Sequence, residues 1–393
     1  MMMPFLRSIL CVVLISSLCH AGVRPLLEAY PALRAIPFAQ LCTLPTPVIH
    51  LSTLGELLTA PNLYCKDDSK TAVKMGGNKP RKLEFLLGEA AVTGAKRVAT
   101  YGLAGSNHVC ATAIHSQRMG IPCDCFYIPQ LRTQYTERNL KATYLTGNKM
   151  SLYETPEERD AQIEALKKAC SDRGEVLYTI PGGGSNAMGA IGFVNAAFEL
   201  KEDIAAGRLP QPDVIYITLG SKGSAAGLLL GLKAAKLAVP VVAVRVVSSA
   251  TFDQIKKIFD ATNDKLLELD PSFGRFELTP TDVVIHHDFF CGQYAKIDER
   301  VAQSIKTLAE IEGIKLDGTY SGKTFAALLY DLASNPELRT KNILFWDTFC
   351  SGLGPLEGKE LDSVDYHALP PEFHRFFDGN EHTLPLQPLD QGF

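Results

Sequence analysis

The chain has 393 residues, of which 46% are hydrophobic and 21% charged, and its formal net charge at pH 7 is -4. This length is enough for two packed domains, and the balanced composition argues against a disordered protein. Because basic residues are not in excess, the sequence gives no electrostatic support for binding nucleic acid or an anionic membrane, and small-molecule chemistry is the better expectation.

The first residues have the pattern of a secretory signal peptide. The segment Met1–Arg7 precedes an apolar run, Ile9–Leu18, and small residues follow at Ala21 and Gly22. The run is short for a bilayer span, and no later stretch reaches the roughly 20 apolar residues of a membrane helix. We therefore expect residues 1–21 to be removed, leaving a secreted or periplasmic protein without membrane contact; a cytoplasmic protein is the alternative.

A lysine follows a pair of glycines in the run Gly76-Gly77-Asn78-Lys79-Pro80-Arg81-Lys82-Leu83-Glu84-Phe85. Glycines let the backbone approach a ligand closely, and Pro80 suits the first position of a helix. A lysine held there would point into a cleft, where it could form a Schiff base. A basic loop that opens a surface helix is the plainer alternative, so other motifs must decide.

From Ala95 onward, short apolar runs alternate with segments of helical period. The runs predict strands at Val98–Tyr101, Cys125–Ile128, Val176–Ile180, Val214–Leu219, Val241–Val247 and Ile343–Trp346. The segments predict helices at Ala111–Met119, Glu157–Cys170, Met188–Ile204, Ala225–Leu237, Asp298–Glu312 and Lys323–Ser334. This alternation predicts an α/β fold with parallel sheets covered by helices on both faces. Ligands of such folds bind where glycine turns meet helix N-termini.

A phosphate site is predicted at the turn between the Val214–Leu219 strand and the next helix. This phosphate turn consists of Gly220, Ser221, Lys222, Gly223, Ser224 and Ala225. Backbone N–H groups and a helix dipole converge there, and the two serine hydroxyls can donate to phosphate oxygens. Lys222 either adds charge to the anion or faces solvent. The Gly-Lys-Ser/Thr ending of a nucleotide-binding loop is missing, and so is the Gly-x-Ser-x-Gly elbow of a serine hydrolase.

A second glycine turn, residues 101–108, also follows a predicted strand. We name it the carboxylate turn, because its Ser106 hydroxyl, Asn107 amide and N-terminal N–H groups suit a substrate carboxylate. Two further glycine turns lie at residues 181–186 and 317–323. A phosphate turn, a carboxylate turn and a Schiff-base lysine together indicate a pyridoxal phosphate enzyme that acts on an amino acid.

The cysteines leave the redox state open. Ten are present, and eight remain after residue 21. An even number suits disulfides in an oxidising compartment, whereas Cys65, Cys110 and Cys350 lie in segments where single buried thiols are common. The Cys123-Asp124-Cys125 pair lacks the partner spacing of a zinc site, so we predict no metal.

In the order and content of its motifs, the chain resembles the 1-aminocyclopropane-1-carboxylate deaminase and D-cysteine desulfhydrase family. The motifs that carry the resemblance occur in the family's order: Leu63–Asp68, Gly76–Phe85, Gly102–Asn107, Tyr178–Ser185 with Gly189–Phe193, Gly220–Gly227 and Tyr320–Lys323. They cover most of the chain between about Leu41 and Pro355. Several ordered motifs are far more specific than any one of them.

The resemblance implies a tryptophan-synthase-β-like fold (fold type II), with two open, mostly parallel, three-layer α/β domains. It places residues 22–82 and 186–354 in a larger cofactor-binding domain and residues 83–185 in a smaller mobile domain. Residues 355–393 would form an irregular C-terminal extension. Family members commonly form homodimers, so a homodimer is expected as well.

The resemblance also implies roles for individual residues. The phosphate turn would hold the cofactor phosphate, and Asn107 would contact the cofactor ring. The substrate would be bound by Ser106, Asn107 and His108. The predicted catalytic residues are Lys79 as the Schiff-base lysine, Ser106, and the two tyrosines Tyr294 and Tyr320.

One departure from the family bears on the reaction. Deaminases of the cyclopropane substrate are expected to have a carboxylate after the second tyrosine, facing the pyridine nitrogen, whereas this chain has Ser321. A hydroxyl leaves that nitrogen essentially neutral, which weakens the electron sink. We therefore favour β-elimination and deamination of a small amino acid, giving a 2-oxo acid and ammonia, over ring opening. β-Replacement, racemisation and the binding of an amino acid by an exported protein without turnover stay open.

Overall fold

The computed structural model describes residues 24–354 and 357–378, so the predicted signal peptide lies outside the described residues. The strands are β1 (Val48–His50), β2 (Leu63–Asp67), β3 (Arg97–Leu103), β4 (Cys123–Ile128), β5 (Lys149–Leu152), β6 (Leu177–Ile180), β7 (Val214–Leu219), β8 (Val241–Arg245), β9 (Val283–His286) and β10 (Ile343–Asp347). The α-helices are α1 (Pro25–Ala29), α2 (Ser52–Leu57), α3 (Asn78–Val92), α4 (Asn107–Arg118), α5 (Gln134–Leu145), α6 (Pro156–Asp172), α7 (Ala187–Ala205), α8 (Gly223–Ala235), α9 (Phe252–Leu269), α10 (Glu299–Glu312), α11 (Ser321–Ser334) and α12 (Glu357–Asp362). Within those ranges, none of the helices has the length and apolar character to cross a bilayer.

The strands form two sheets. One has six strands in the order β1-β2-β10-β7-β8-β9, with β1 antiparallel to β2 and the other pairs parallel. The other has four parallel strands in the order β5-β4-β3-β6. Every residue of β7 and β10 is buried, as expected for strands of a parallel sheet covered on both faces. The predicted α/β class with two mostly parallel sheets is confirmed.

Successive residues of β10 point into different cores, because side chains alternate across a strand. Phe345 packs on Phe325 of α11, with ring centroids 5.2 Å apart. Its neighbour Trp346 packs on Phe193 of α7, at 5.9 Å. Helices α10 and α11 thus cover one face of the larger sheet, and α3, α7 and α8 cover the other. The carboxyl ends of β7 and β10 stay open between these layers.

Several helix starts differ from the sequence prediction, and two of the differences bear on the site. The helix predicted from Ala111 begins at Asn107, because the Ser106 side chain caps it by accepting a hydrogen bond from the Val109 N–H. Helix α3 begins at Asn78, after Gly77, so Pro80 does not occupy the first helical position as predicted. Both shifts place predicted site residues inside the first turn of a helix.

The described part of the C-terminal extension packs against the four-stranded sheet. The Phe373 ring meets Tyr127 of β4 edge to face, with centroids 5.4 Å apart. Arg375 forms an ion pair with Glu154, at 2.7 Å. The four strands of this sheet come from residues 97–180, and the domain boundaries given above stay a prediction.

Candidate active site

One cavity collects most of the predicted site residues. This central cavity, about 390 Å³, lies at the carboxyl ends of β3, β7 and β10. The predicted residues that line it are Lys79, Ser106, Asn107, His108, Gly220, Ser221, Lys222, Ser224, Tyr294 and Tyr320. Gly223, Ala225 and Ser321 do not line it. Two segments far apart in sequence, the lysine run and the phosphate turn, therefore face the same space.

The Lys79 amine enters the cavity from the first turn of α3. Its Nζ donates to the Asn78 side-chain oxygen at 2.8 Å and lies 5.7 Å from the centroid of the Tyr320 ring. Burial lowers the pKa of Lys79 to about 8, because desolvation disfavours the charged amine. Only glycine fits at Gly77, whose φ is +114° and whose added Cβ would lie 2.6 Å from the Phe349 carbonyl oxygen. The amine is thus held on a fixed backbone and is easily deprotonated.

A buried ion network holds the start of α3 in place. Arg81 donates to Asp68 at 2.7 Å and to Glu199 at 2.9 Å. Lys66 lies 2.6 Å from both Glu199 and Asp203. The side chains of this network are at most 1% exposed, so each charge depends on its partners for solvation. The network fixes the helix turn that carries Lys79.

The phosphate turn has the groups that bind an anion, and a cation stands beside it. The Ser185 hydroxyl donates to Ser221 Oγ at 2.8 Å and accepts from the Gly223 N–H at 3.2 Å. The Asn78 amide donates to Ser224 Oγ at 3.0 Å. Lys82 donates to Ser185 Oγ at 3.1 Å. Hydroxyls and a helix N-terminus therefore surround the site, with the Lys82 charge one hydrogen bond away.

Lys82 has a role that sequence reasoning did not assign. It lies three residues after Lys79 on the same face of α3, and it also donates to the Gly183 carbonyl at 2.6 Å. Burial, and then the Lys79 charge, hold the pKa of Lys82 well below its usual value. A phosphate beside Ser185 would compensate that burial. The i, i+3 spacing of Lys79 and Lys82 could have indicated from the sequence that Lys82 faces the same side of the helix.

The carboxylate turn is ordered by residues outside it. The Asn139 amide of α5 donates to the Asn107 side-chain oxygen at 2.8 Å and to the Gly105 carbonyl at 2.8 Å. The Asn107 amide group is thereby turned with its NH₂ away from Asn139. Ser106 caps α4, whose N-terminal N–H groups face the cavity. Sequence reasoning missed Asn139, because nothing local connects α5 to this turn.

His108 lies in the cavity wall with its ring turned toward β3. Its Nε2 is 3.0 Å from the Thr100 hydroxyl, which donates in turn to the Ile180 carbonyl. Burial, and then the Lys79 and Lys82 charges, hold the pKa of His108 well below its usual value. The ring is therefore neutral at physiological pH, and it offers a substrate a dipole rather than a charge.

The two predicted tyrosines form a pair in the cavity. Their hydroxyls are joined by a short hydrogen bond, and their ring centroids lie 5.9 Å apart. Burial raises the pKa of both Tyr294 and Tyr320 above the usual value. Both hydroxyls therefore stay protonated and can donate a hydrogen bond or a proton, but the raised pKa makes each a weaker acid than a free phenol.

Ser321 does not occupy the place predicted for it. Its hydroxyl is buried against Asp317, donating to Oδ2 at 2.9 Å and accepting from the Asp317 N–H at 3.1 Å. The hydroxyl that does line the cavity here belongs to Thr348, directly after β10, and it donates to Thr218 at 3.3 Å. Among the described lining residues there is no aspartate or glutamate. The described lining thus offers several hydroxyls, Thr348 among them, and no carboxylate.

One cysteine, Cys350, lines the central cavity as a buried free thiol. None of the eight cysteines of the described ranges forms a disulfide with another described residue. No group of three or more histidine, cysteine, aspartate or glutamate residues in the same ranges is arranged to hold a metal ion. The groups available for chemistry in the cavity are thus amines, hydroxyls and amides, with the Arg159 guanidinium, the His108 imidazole and the Cys350 thiol.

The site fits pyridoxal phosphate. An amine for the aldehyde and an anion site for the phosphate face one cavity, and residues 40–348 match the family described as pyridoxal-phosphate dependent enzyme. A D-cysteine desulfhydrase from Serratia proteamaculans is 33% identical over 307 residues, covering 77% of this chain and 90% of the relative. One from Salmonella schwarzengrund is 31% identical over 303 residues, covering 76% and 89%.

Solved structures agree with these relatives. A crystal structure described as an ACC deaminase homologue superposes with a TM-score of 0.70 at 28% identity, covering 85% of this chain and 98% of that one. A fungal L-serine ammonia-lyase from Rhizomucor miehei, 20% identical with a TM-score of 0.54, shares the fold, with coverage of 81% and 98%. The predicted family, fold type and cofactor are confirmed. The chain belongs to the pyridoxal-phosphate-dependent enzyme family.

Proposed function

We propose that this protein is a pyridoxal phosphate-dependent lyase that removes the β-substituent of a small D-amino acid. D-Cysteine is the first candidate, with pyruvate, ammonia and hydrogen sulfide as products. The observation that carries the proposal is the central cavity itself, in which the Lys79 amine and the phosphate turn are combined with hydroxyls and no carboxylate among the described lining residues. The desulfhydrase relatives supply the candidate substrate.

The chain's own residues would hold the cofactor at both ends. The backbone N–H groups and serine hydroxyls of the phosphate turn would bind the phosphate, with Lys82 one hydrogen bond away through Ser185, and Lys79 would bind the aldehyde carbon. When bound, pyridoxal phosphate withdraws the electron pair left on the substrate Cα after its proton is lost. Of the hydroxyls in the described lining, we assign Thr348, directly after β10, to the ring nitrogen, and a hydroxyl there would leave that nitrogen neutral.

Substrate binding and proton transfer follow from the same geometry. The N–H groups at the start of α4, with Ser106 and Asn107, bind the substrate carboxylate. Lys79, released from the aldehyde, is a base of suitable strength for the α-proton, since its pKa is about 8. The protonated Tyr294 and Tyr320 hydroxyls can donate a proton to the departing thiolate.

β-Elimination suits this cavity better than ring opening. A thiolate carries its electron pair away, so the electron sink needs less strength than the opening of an unactivated ring does. A neutral ring nitrogen beside Thr348 is the weaker sink. Opening of the 1-aminocyclopropane-1-carboxylate ring is the second candidate, and the structural likeness to an ACC deaminase homologue favours it.

Product analysis with the purified holoenzyme tests the proposal. D-Cysteine, L-cysteine, D-serine and 1-aminocyclopropane-1-carboxylate would each be supplied, and 2-oxo acid, ammonia, sulfide and the enantiomer of the substrate measured. Sulfide and pyruvate from D-cysteine in equal amounts support the proposal. It would be overturned by 2-oxobutanoate from the cyclopropane acid alone, by racemisation alone or by a bound cofactor without turnover.

A Lys79→Ala variant separates catalysis from binding. It should lose both turnover and the absorbance of the lysine-linked cofactor, because the amine supplies the covalent link and the base. Lys70→Ala is the matched control, since Lys70 is exposed and outside the central cavity. Full activity of Lys79→Ala would overturn the assignment.

Export and assembly are proposed separately. We propose that residues 1–21 are removed during export, on the pattern of the sequence alone, and that the protein is a homodimer, as is common in the family. The N-terminal sequence of the mature protein tests the first proposal. Analytical ultracentrifugation tests the second, and a monomer across the working concentration range would contradict it.

A further inference from the structure

The central cavity holds more positive charge than the proposed reaction uses. Among the described residues that line it, Lys79, Arg159 and Lys222 are cationic, and no acidic side chain is present. Lys79 is assigned to the cofactor aldehyde, and the cofactor phosphate has Lys82 beside it through Ser185. Arg159 takes part in neither contact, and the Lys222 side chain reaches toward Ser249 while the backbone and serines of its turn serve the phosphate, so both cations remain for another anion.

Arg159 is fixed at the cavity wall by two neighbours. It lies in the first turn of α6, and its guanidinium carbon is 4.4 Å from the centroid of the Tyr101 ring. It forms an ion pair with Asp160, whose Oδ1 lies 2.9 Å from Nε and 2.7 Å from Nη2. The arginine side chain is only 11% exposed, whereas that of Asp160 is 60% exposed. Solvent therefore screens the Asp160 charge more than the Arg159 charge. The guanidinium is held in place at the cavity wall by its two neighbours.

Lys222 occupies a backbone conformation that favours glycine. Its φ is +72°, at the N-cap of α8, so a side chain here costs local strain. The amine lies 3.5 Å from the Ser249 hydroxyl, in the loop after β8, and both residues line the cavity. No ion pair joins it to a carboxylate of the described residues, and burial lowers its pKa. A strained residue kept at a site, with an unpaired charge, points to a ligand.

We propose that Arg159 and Lys222 recognise a second negative charge on the substrate, carried by its β-substituent. This inference rests on the proposed lyase function and names its substrate class: thioethers of D-cysteine whose sulfur bears a short carboxylate chain. The carboxylate turn binds the α-carboxylate, so the two cations are free to meet the distal carboxylate. The Arg159 guanidinium, whose Nε and Nη2 already face Asp160, would present its remaining Nη1 donors to the distal carboxylate, and the lysine amine adds a point charge.

The reaction balances without an oxidant or reductant. The Cα–H bond breaks and its proton goes to Lys79, while the electron pair forms the Cα–Cβ double bond as the Cβ–S bond breaks. The sulfur leaves with that bond's electron pair and takes a proton. One water then hydrolyses the three-carbon product, so that R-S-CH₂-CH(NH₃⁺)-COO⁻ and water give RSH, pyruvate and ammonium.

A pair of thioethers tests the distal charge. S-carboxymethyl-D-cysteine and its neutral isostere S-carbamoylmethyl-D-cysteine differ in charge and hardly in shape. We expect the holoenzyme to have a kcat/KM at least about tenfold higher for the acid than for the amide, since a desolvated charged hydrogen bond is worth that much. The ratio should fall toward one in Arg159→Gln and in Lys222→Gln, and Arg159→Lys should restore part of it. Because each ratio is measured within one variant, a general loss of activity cancels.

The matched control is Lys236→Gln. Lys236 is also a lysine at positive φ, +61°, at the other end of α8, and it lies outside the central cavity. Its variant should keep the wild-type ratio. Equal kcat/KM for acid and amide in the wild type, or a preference that survives both substitutions, would overturn the proposal.

A failure of the lyase proposal can be distinguished from a failure of the distal anion site. If D-cysteine and both thioethers are not turned over, the absorbance of the bound cofactor is titrated with each thioether instead. Tighter binding of the acid, lost in Arg159→Gln, then supports the distal anion site although the lyase assignment fails. Equal binding of acid and amide overturns the site as well.

Discussion

The Tyr294 and Tyr320 hydroxyls are hydrogen bonded to each other, with the Lys79 amine 5.7 Å from the centroid of the Tyr320 ring. Because burial raises the pKa of both phenols, each can supply a proton but neither gives one up spontaneously. The cavity therefore contains both a base, the Lys79 amine, and a proton donor, the hydrogen-bonded tyrosine pair. This separation of roles follows from environment, since burial lowers the amine pKa and raises the phenol pKa values.

Replacing Tyr294 with phenylalanine tests the acid. We expect kcat/KM for D-cysteine to fall about 100-fold, the lower range for removing a general acid, while cofactor absorbance is retained. Tyr330→Phe is the control, because Tyr330 is a partly exposed tyrosine of α11 away from the cavity. An unaffected Tyr294→Phe enzyme would show that the hydroxyl pair is not the proton donor.

The Lys79 pKa predicts how the apoprotein takes up pyridoxal phosphate. Only the neutral amine attacks the aldehyde, and burial lowers the pKa of Lys79 to about 8. The uptake rate should therefore rise with pH through about 8 and level off above it. Stopped-flow absorbance from pH 6 to 10 measures this, with N-acetyl-lysine methylamide as the solution reference. A midpoint matching that of the reference would contradict a desolvated amine.

Much of this site could be predicted where the chemistry is local. The phosphate turn joins a strand to a helix within a few residues. Its glycines and serines therefore predict an anion site even when the fold is not known. Lys79 likewise follows its glycines directly. The lining residue Thr348 and the helix residue Asn139 reach the site only through sheet order and helix packing. The residues next to Thr348 and Asn139 in the sequence give no indication that these two belong to the site.

The elements of the fold also differ in how well the local sequence predicts them. Strands β7 and β10 are continuous apolar runs, because both of their faces are buried, and they were predicted to within a residue. The short strands β1, β5 and β9 were missed, because three or four half-buried residues carry too little pattern; β2 was missed as well, although four of its five residues are buried. Helix α9 was also missed, although Ile255, Phe259 and Leu266 recur at helical spacing; that signal was present in the sequence.

Replacing Lys82 with methionine tests the cation beside the phosphate turn. We expect the dissociation constant of pyridoxal phosphate to rise about 10- to 100-fold, as for loss of a charged hydrogen bond. Pyridoxal, which lacks the phosphate, is the matched control ligand and should bind both proteins alike. Equilibrium dialysis measures both ligands. A similar loss for pyridoxal would mean that Lys82 supports the cavity in general and not the phosphate.

Replacing Arg81 with methionine tests whether the buried ion network holds α3. The substitution leaves the Asp68 and Glu199 carboxylates without their shared cation, at sites that are at most 1% exposed. Breaking such a pair costs about 3–5 kcal/mol, so the urea midpoint should fall markedly and cofactor binding with it. Arg300→Met is the control, because its ion pair with Asp298 is at the surface and is worth about 1 kcal/mol or less. Equal midpoints for the two variants would show that the Arg81 network contributes no more than a surface pair, and the placement of Lys79 would then have to come from the glycine backbone at Gly77 alone.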